Sequence, residues 1–422
     1  MNGPKSIDIW QAGASTEKSV HYVVLHPWQW VMESLVSDLK MNPIEEATNL
    51  PTAKQQASQE VSSASPRRTR RNRGARQKTS QGRTSLRMEI VDNSTGQIVL
   101  AAHGTSACFD GLGDKDELVR TFQRCRCEHV ELSPPSILIQ WDVTKEECNN
   151  LVGSSLPRLG TAKNSSVVAV LKEPMGSRGR GIYFVRTADE IHAIIDENHQ
   201  KASADPDLLE NLIAAKGRIP SWVLQAEVAP ALLIRNRRKF HIRSYVVVVE
   251  RPDDEVLDML IYGRHEVRIA GVPVDDGEGS ERSPAAHITN GALSSSSERV
   301  LLSQVPELVQ RKEKLELFIA ETFGKFLLSD ISRRIPTPNP NGQAIREFAV
   351  AGLDLMVTED FRIYLLEVNV NPSAPPVTMC DAPFQEHLRG FFKDLVNLVT
   401  LGVSARGDFL DLFEILEKHS TE

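Results

Sequence analysis

Two carboxylates and an amide near the C-terminal end of the chain have the residue types and spacing of a metal site. Asp354 lies in the apolar run 347–357, and Glu367 and Asn369 lie in the run 362–372. Both runs are rich in β-branched and aromatic residues, which predicts two buried strands. Glu367 and Asn369 are two residues apart and share one face of a strand, and Asp354 can join them from its neighbour.

A buried carboxylate without a partner costs on the order of several kcal/mol, so these groups need a counter-charge. Three oxygen ligands suit Mg²⁺, which keeps some waters and takes its remaining ligands from substrate phosphates. We therefore expect Asp354, Glu367 and Asn369 to bind a magnesium ion. Ion pairs between the carboxylates and Lys or Arg side chains are the structural alternative.

Lys172 ends a second apolar run and is followed by the glycine-rich segment 175–181 and by another predicted strand. Backbone N–H groups of such a turn can approach phosphate oxygens, and a buried lysine adds a positive charge to the same anion. The order strand, turn, strand differs from a P-loop and from a dinucleotide-binding motif. An ordinary hairpin turn is the alternative.

Lys239, His241 and Arg243 alternate with apolar residues, so they project from one face of a predicted strand. Three potential cations on one face repel one another unless an anion lies beside them. Arg243 could bind a carboxylate or a phosphate through two parallel hydrogen bonds. The alternative is a strand whose polar face meets solvent.

The elements that must position these residues are strands separated by polar or glycine-rich loops, which favours an α+β fold. Strands are predicted at 86–91, 97–102, 166–172, 182–185, 222–225 and 241–249, in addition to the two runs above, and helices at 114–124, 188–197, 306–328 and 384–401. Long polar loops are predicted at 271–298 and 333–343.

Length and composition indicate a large globular protein. The 422 residues are 41% hydrophobic, and no apolar run approaches the roughly 20 residues of a membrane span. We therefore expect a soluble protein with no membrane partner. Five cysteines and no recognisable secretory signal favour an intracellular location.

Positive charge is concentrated in one segment of this acidic chain. The net charge is -7, yet nine Lys or Arg and no acidic residue occur between Arg67 and Arg87. Residues 41–87 contain few large apolar side chains, which predicts a disordered insert. Such a segment could attract an acidic protein tail, nucleic acid or an import receptor, or could simply be solvated.

Taken together, these motifs resemble the tubulin-tyrosine ligase family. The resemblance is carried, in the family's order over about 165–401, by Lys172 with the segment 177–182, Gln225, the segments 238–244 and 287–290, and the segment 365–372. It implies an ATP-grasp fold, in which two lobes clasp ATP, preceded by a small N-terminal α/β region. The implied domains are an N-terminal region at 1–150, a ligase domain at 160–402 and a C-terminal helix at 403–422.

The resemblance also implies roles for individual residues. Phosphate contacts are implied for Lys172, Arg178 and Gly179, adenine contacts for Gln225, Ala226, Glu227 and Val228, and further nucleotide contacts for Lys239, His241, Thr289 and Asn290. Arg243 and Arg268 would be catalytic-site arginines, with Arg268 holding the carboxylate of the incoming amino acid. Asp354, Glu367 and Asn369 would bind Mg²⁺.

The function that the resemblance implies is ATP-dependent ligation of an amino acid, tyrosine or glutamate, to a carboxylate of tubulin through an acyl phosphate. The acidic tubulin tail and a free amino acid would be the partners, nucleic acid would not be one, and the location would be cytoplasmic, with the cytoskeleton or the cilium as further possibilities. Two alternatives remain open: a degenerate member that binds tubulin tails, and a ligase with a non-tubulin acceptor.

One position departs from the family's pattern. The family usually has Asp where this chain has His241, so an imidazole would replace a carboxylate beside the nucleotide. Imidazole can be neutral or cationic near its ordinary pKa of about 6.5, whereas Asp is anionic there. This replacement leaves open whether the chain is active.

Overall fold

The structure is a computed structural model that describes residues 5–7, 18–24, 86–92, 97–104, 107–109, 111–124, 131–155, 169–174, 181–204, 213, 218–250, 257–274, 284–287, 289, 297–327, 345–370, 372, 375 and 380–420. The predicted insert at 41–87 lies outside the described residues, except for Leu86 and Arg87, which begin a strand. The predicted loop at 333–343 also lies outside them.

Fifteen strands are found in the described residues. They are β1 Lys5–Ile7, β2 Lys18–Val24, β3 Leu86–Asp92, β4 Gln97–Gly104, β5 Ser136–Ile139, β6 Ala169–Lys172, β7 Ile182–Val185, β8 Trp222–Ala226, β9 Phe240–Glu250, β10 Leu257–Tyr262, β11 Glu266–Ile269, β12 Glu298–Leu301, β13 Ile345–Val357, β14 Ile363–Val370 and β15 Phe409–Asp411. A strand is found at each position where the sequence predicts one, which confirms the predicted succession of strands.

The helices of the described residues lie between and after these strands. They are α1 Lys115–Arg124, α2 Lys145–Ser155, α3 Ala188–Ser203, α4 Pro284–His287, α5 Pro306–Val309, α6 Lys312–Glu321, α7 Ala382–Leu401 and α8 Leu412–Ser420, with short 3₁₀ turns at Ala107–Phe109, Leu302–Gln304 and Val403–Ala405. The fold is thus a mixture of helices and mainly antiparallel sheets.

The larger sheet contains eleven of these strands and is centred on β9 and β13. Its main path runs β1-β2-β3-β4-β13-β9-β10-β15, with β14 on β13 and with β11 between β9 and β12. The pairing of β4 with β13 is parallel. One edge of β9 is shared, because β11 pairs with its first half and β10 with its second half.

Side-chain alternation along β9 builds two cores on opposite faces of this sheet. Ile242, Val246 and Val248 pack in a core that includes residues of α6 and α8. Val247 and Val249 pack in a second core with the aromatic residues of α7. Since residues two apart share a face, His241 and Arg243 lie on the α7 side.

The smaller sheet has the order β5-β8-β6-β7. Its core includes Trp141 and Trp222, whose ring centroids are 5.6 Å apart, together with residues of α2 and α3. The indole N–H of Trp141 donates to the carbonyl of Pro220 at 2.6 Å. This sheet therefore has a hydrophobic core of its own.

The helix predicted at 306–328 is divided in the structure. It consists of α5, α6 and a π-helical segment at Thr322–Leu327. The hydroxyl of Thr322 donates to the carbonyl of Phe318 at 2.7 Å, a side-chain bond that competes with the regular helical ladder. The wider turn brings Gly324 against Leu416 of α8, where an added Cβ would lie 2.9 Å from the leucine methyl group.

Near the chain end, the strand β15 precedes the predicted helix and pairs with β10. Strand pairs also join the predicted N-terminal region to the predicted ligase domain, because β4 pairs with β13 and β5 with β8. The division into domains stays a prediction. No helix in the described part of the chain combines the length and apolarity needed to cross a membrane.

Candidate functional site

A row of charged residues crosses four neighbouring strands on the α7 side of the larger sheet. Asp354 of β13 lies opposite Glu367 of β14 on one side and opposite Arg243 of β9 on the other. Arg243 in turn lies opposite Glu266 of β11. Arg243 therefore has a carboxylate on either side of it, whereas Asp354 and Glu367 are neighbouring carboxylates of like charge.

A second row lies beside the first and is more basic. His241 of β9 is opposite Arg268 of β11, and Arg268 is opposite Arg299 of β12. The two rows together form the floor of the candidate site. They come from β strands that are far apart in the sequence and adjacent only in the fold.

Arg243 and Asp354 form a buried ion pair with two parallel hydrogen bonds. Nε of Arg243 is 2.5 Å from Oδ1 of Asp354, and Nη2 is 2.9 Å from Oδ2. Burial by itself raises the pKa of Asp354, but Arg243 and His241 outweigh it and hold the pKa well below its ordinary value. The carboxylate is therefore charged. The two parallel hydrogen bonds that were predicted for Arg243 are made to Asp354 of the same chain.

The predicted metal ligands are brought together by the amide of Asn369. Its Nδ2 donates to Oδ2 of Asp354 and to Oε1 of Glu367, at 3.1 Å each. In the described part of the chain, no group of three or more His, Cys, Asp or Glu side chains could hold a metal by itself. The predicted ligand set, with two carboxylates and an amide, is of a different kind and stays a prediction.

Two lysines lie near these acidic groups, one from the smaller sheet and one from helix α1. Lys172 of β6 extends its Nζ to within 3.4 Å of the carbonyl oxygen of Leu366, and Lys115 of α1 donates to the carbonyl of Glu173 at 3.2 Å. Burial lowers the pKa of Lys172 to about 8, with the charge of Lys115 adding to this effect and Glu367 opposing it. Burial also lowers the pKa of Lys115.

Lys172 and Lys115 both line a small cavity of about 10 Å³ between the two sheets. Gln225 lines it too, and its amide donates to the hydroxyl of Ser136 at 3.1 Å. Backbone N–H of Ala226 donates to the carbonyl of Pro135 at 2.8 Å. The predicted adenine-contacting segment thus starts at the C-terminal end of β8, beside the predicted phosphate-binding lysine.

Lys239 takes part in a largely buried cluster with Glu227 and His287. Its ammonium lies 2.6 Å from Oε1 of Glu227 and 3.0 Å from Nδ1 of His287. The ring of His287 packs on Phe184 of β7, with centroids 4.9 Å apart. The smaller sheet and the larger sheet are therefore joined here by a lysine, a carboxylate and an imidazole.

His241 bridges Thr289 and Asp354. Its Nδ1 is hydrogen-bonded to the hydroxyl of Thr289, and its Nε2 lies 3.3 Å from Oδ1 of Asp354. All three residues are buried. The imidazole is thus placed beside the predicted metal ligands, where the family's carboxylate would add a negative charge.

Arg268 belongs to a buried network around Glu266. Oε2 of Glu266 accepts from Nε of Arg268 at 3.3 Å and from Nη2 at 2.9 Å, and Oε1 accepts from the hydroxyl of Tyr245 at 2.6 Å. His387 of α7 places Nε2 3.5 Å from the same Oε1. Burial raises the pKa of Glu266, but Arg268 and His387 lower it further than burial raises it, so the carboxylate is charged.

Three predicted site residues, Arg178, Gly179 and Asn290, lie outside the described residues. The backbone on either side of the predicted phosphate turn is described. Gly181 has φ of 70° and accepts a hydrogen bond from the N–H of Glu173 at 2.7 Å. The chain therefore turns back between β6 and β7, as a hairpin requires.

The predicted solvent-facing alternative for Lys239, His241 and Arg243 is wrong, because all three are buried and each lies beside an acidic residue of the chain. Sequence reasoning missed Lys115, Glu266, His287 and Arg299 as site residues. The spacing of Glu266 and Arg268, two apart on a short strand, was the available signal. Lys115 could not be found from the sequence, because only the fold brings it next to Lys172. Arg299 could not be found either, because only strand register places it opposite Arg268.

The acid–amide cluster, the lysines and the surrounding arginines define a site suited to an anionic ligand and a hard cation. The family model for the tubulin-tyrosine ligase family matches residues 112–406. This match covers more than half of the chain, and the chain belongs to that family. The earlier resemblance is thereby confirmed.

Curated relatives are similar to this chain over part of its length. Tubulin polyglutamylase ttll-4 of Caenorhabditis elegans is 27% identical over 197 residues, which is 42% of this chain and 31% of the relative. Inactive polyglycylase TTLL10 of Homo sapiens is 23% identical over 265 residues, 58% of this chain and 37% of the relative. Probable tubulin--tyrosine ligase PBY1 of Saccharomyces cerevisiae is 25% identical over 234 residues, which is 48% of this chain and 30% of the relative. The matches span about a third of the relatives' length.

Proposed function

We propose that this protein is an ATP-dependent and Mg²⁺-dependent ligase that adds an amino acid to a carboxylate of tubulin. Family membership and the names of the relatives support a tubulin-modifying ligase. The observation that carries the proposal is that Asp354 and Glu367 both lie within hydrogen-bond distance of the Asn369 amide, beside the buried ammonium of Lys172.

The chemistry of the donor set fits Mg²⁺ bound with a nucleotide. Carboxylate and amide oxygens are the hard ligands that Mg²⁺ takes from proteins, and phosphates supply others. Lys172, with Arg178 and Gly179, would hold phosphate oxygens. Lys239 and His241 would lie beside the nucleotide, with Thr289 and Asn290 near its phosphates. The segment Gln225 to Val228 would border adenine, as in an ATP-grasp fold whose two lobes clasp the nucleotide.

When bound, ATP supplies the phosphoryl group that activates the acceptor carboxylate for attack by an amine. The chain's own residues would prepare the reactants. Arg268 would hold the carboxylate of the incoming amino acid, and Arg243 would keep Asp354 charged and fixed. Lys172, buried between the sheets, would place positive charge beside the phosphates, where a low dielectric strengthens the interaction.

The test is incorporation of labelled glutamate, glycine or tyrosine into tubulin by the purified protein with Mg-ATP, followed by mass spectrometry. Lys172→Met should abolish incorporation and weaken Mg-ATP binding at least tenfold, because it removes the buried charge. Lys201→Met is the matched control, since Lys201 is an exposed residue of α3 paired with Glu197. Absence of incorporation by the wild-type chain with all three amino acids would refute the ligase proposal.

A second candidate function, binding of tubulin tails without catalysis, is favoured by His241 and by the inactive designation of one relative. His241 lies 3.3 Å from Asp354 and would bring no negative charge to the cation. Tight Mg-ATP binding without ligation, and activity gained by His241→Asp, would favour this candidate. A cytoplasmic or cytoskeletal location and an attraction of the basic segment 67–87 to the acidic tail would follow from either function.

A further inference from the structure

Arg299 is a half-buried arginine next to Arg268 that none of the sequence motifs includes. It lies directly opposite Arg268 in the β11–β12 ladder, so the two side chains are on the same face and within about 5 Å at Cβ. Its Nη1 is buried and has no hydrogen-bond partner among the described residues. A buried guanidinium nitrogen without a partner is costly, which points to a ligand.

The charges around the two arginines do not cancel. Glu266 is the carboxylate that both arginines face, and it binds the Nε and Nη2 edge of Arg268. Tyr245 is a neutral phenol, because burial raises its pKa, and Cys380 is a neutral thiol, because burial raises its pKa to about 11. His387 is the other titratable group at Glu266. Among the described residues that act on them, the two arginines therefore exceed the carboxylate of Glu266 by one full positive charge.

The position of this excess charge is next to the proposed amino-acid site. Arg268 lies between Arg299 and His241 in one cross-strand row, and His241 is beside Asp354. The row therefore leads from the proposed metal ligands towards β12. A ligand that reaches Arg268 from the metal side would extend towards Arg299.

We propose that Arg299 binds the second carboxylate of a dicarboxylic amino acid, so that the site selects glutamate over glycine and tyrosine. This inference rests on the proposed function and names its amino-acid substrate. Arg268 takes the α-carboxylate and Arg299 takes the side-chain carboxylate. Glutamate has a net charge of -1 near neutral pH, which matches the excess positive charge, whereas glycine and tyrosine are net neutral.

The test is calorimetric binding of free L-glutamate, glycine and L-tyrosine to the full chain with Mg²⁺ and a non-hydrolysable ATP analogue. The wild-type chain should bind L-glutamate most tightly. Arg299→Ala should weaken L-glutamate binding by about tenfold or more, because a charge-assisted contact is lost, and should change glycine binding by less than about threefold. Arg299→Lys should retain part of the preference, because it keeps the charge.

The matched control is Arg264→Ala, which removes the same charge from an exposed pair with Asp408. It should leave all three affinities unchanged. Thermal unfolding of each variant checks the fold, and Arg299→Ala should unfold at the wild-type temperature or above, since it relieves the repulsion with Arg268.

Three outcomes would overturn the inference. The wild-type chain could prefer glycine or tyrosine, Arg299→Ala could weaken all three amino acids equally, or it could weaken none. A further arm uses a glutamate-rich acceptor peptide: if Arg299→Ala weakens this peptide and not free L-glutamate, the carboxylate at Arg299 belongs to the acceptor. None of these measurements needs tubulin ligation. Failure of the ligase proposal and failure of this inference are therefore distinguishable.

Discussion

At the scale of single residues, the site is held by charges that the chain neutralises internally. Arg243 forms an ion pair with Asp354, Lys239 with Glu227, and Arg268 with Glu266. The first and third pairs are buried and the second is partly buried, so removing one partner leaves a charge in a poorly solvated place. The site is therefore preorganised by ion pairs whose loss is costly.

The pair of Arg243 and Asp354 gives the first prediction. Arg243→Met should lower the free energy of unfolding by about 3 kcal/mol, because Asp354 would keep a buried charge with only Asn369 and His241 beside it. The double variant Arg243→Met with Asp354→Asn should recover part of that loss. Denaturant unfolding of the two single variants and the double variant measures the coupling.

Arg362→Met is the control for this prediction. Arg362 also pairs with an Asp, Asp360, at 2.8 Å, but both side chains are exposed. Its loss should cost much less stability than the loss of Arg243, because solvent screens an exposed pair. Equal losses for the buried and the exposed arginine would contradict the assignment of Arg243 as a buried structural charge.

At the scale of elements, a buried imidazole ties helix α6 to the central strands. His265, just before β11, places Nδ1 2.9 Å from the hydroxyl of Ser244 in β9 and Nε2 3.4 Å from Glu316 in α6. Burial lowers the pKa of His265, while Glu316 acts in the opposite direction. The helix and the sheet are thus joined by a polar contact within an otherwise apolar core.

This contact predicts a pH-dependent stability. Because the pKa of His265 is lower in the folded chain, the unfolded chain binds more protons below its ordinary pKa of about 6.5. Stability should therefore fall as the pH decreases from 7.5 to 5. His265→Gln should show a smaller fall over the same interval, measured by urea unfolding at both pH values. A wild-type stability that rises towards pH 5 relative to the variant would refute this role.

At the scale of the whole molecule, the two sheets meet at β14. The ammonium of Lys172 reaches the carbonyl of Leu366, and the N–H of Leu365 donates to the carbonyl of Leu132 at 2.8 Å. Tyr364 adds a hydrogen bond to Glu131 at 3.0 Å. The same strand carries Glu367 and Asn369, so the contact between the sheets and the proposed metal site share one element.

A nucleotide bound at this contact should stabilise it. We expect Mg-ATP to slow amide hydrogen exchange in β6, β8 and β14 and to leave α8 unchanged, since α8 packs on the opposite face of the larger sheet. Hydrogen exchange with mass spectrometry measures this, with Mg²⁺ alone as the control. Protection that appears in α8 and not in β14 would place the nucleotide elsewhere.

Much of the fold followed from the sequence alone. Alternation of apolar residues determined the strands, because the two faces of a sheet require it, and the order of the motifs indicated the family. The types and spacing of Asp354, Glu367 and Asn369 predicted their convergence, because two adjacent strands leave few other arrangements. Helix bounds did not follow from the apolar pattern alone: the π-helical segment after α6 lies where Gly324 packs against Leu416 of α8.

Only the tertiary structure decided which charges face one another. The internal carboxylate partners of Lys239 and Arg268, the approach of Lys115 to Lys172, and the position of Arg299 opposite Arg268 all depend on strand register and on contact between sheets. Register is set by the packing of the whole sheet, which no local pattern records. The sequence thus determined which residues could carry chemistry, and the fold determined which of them act together.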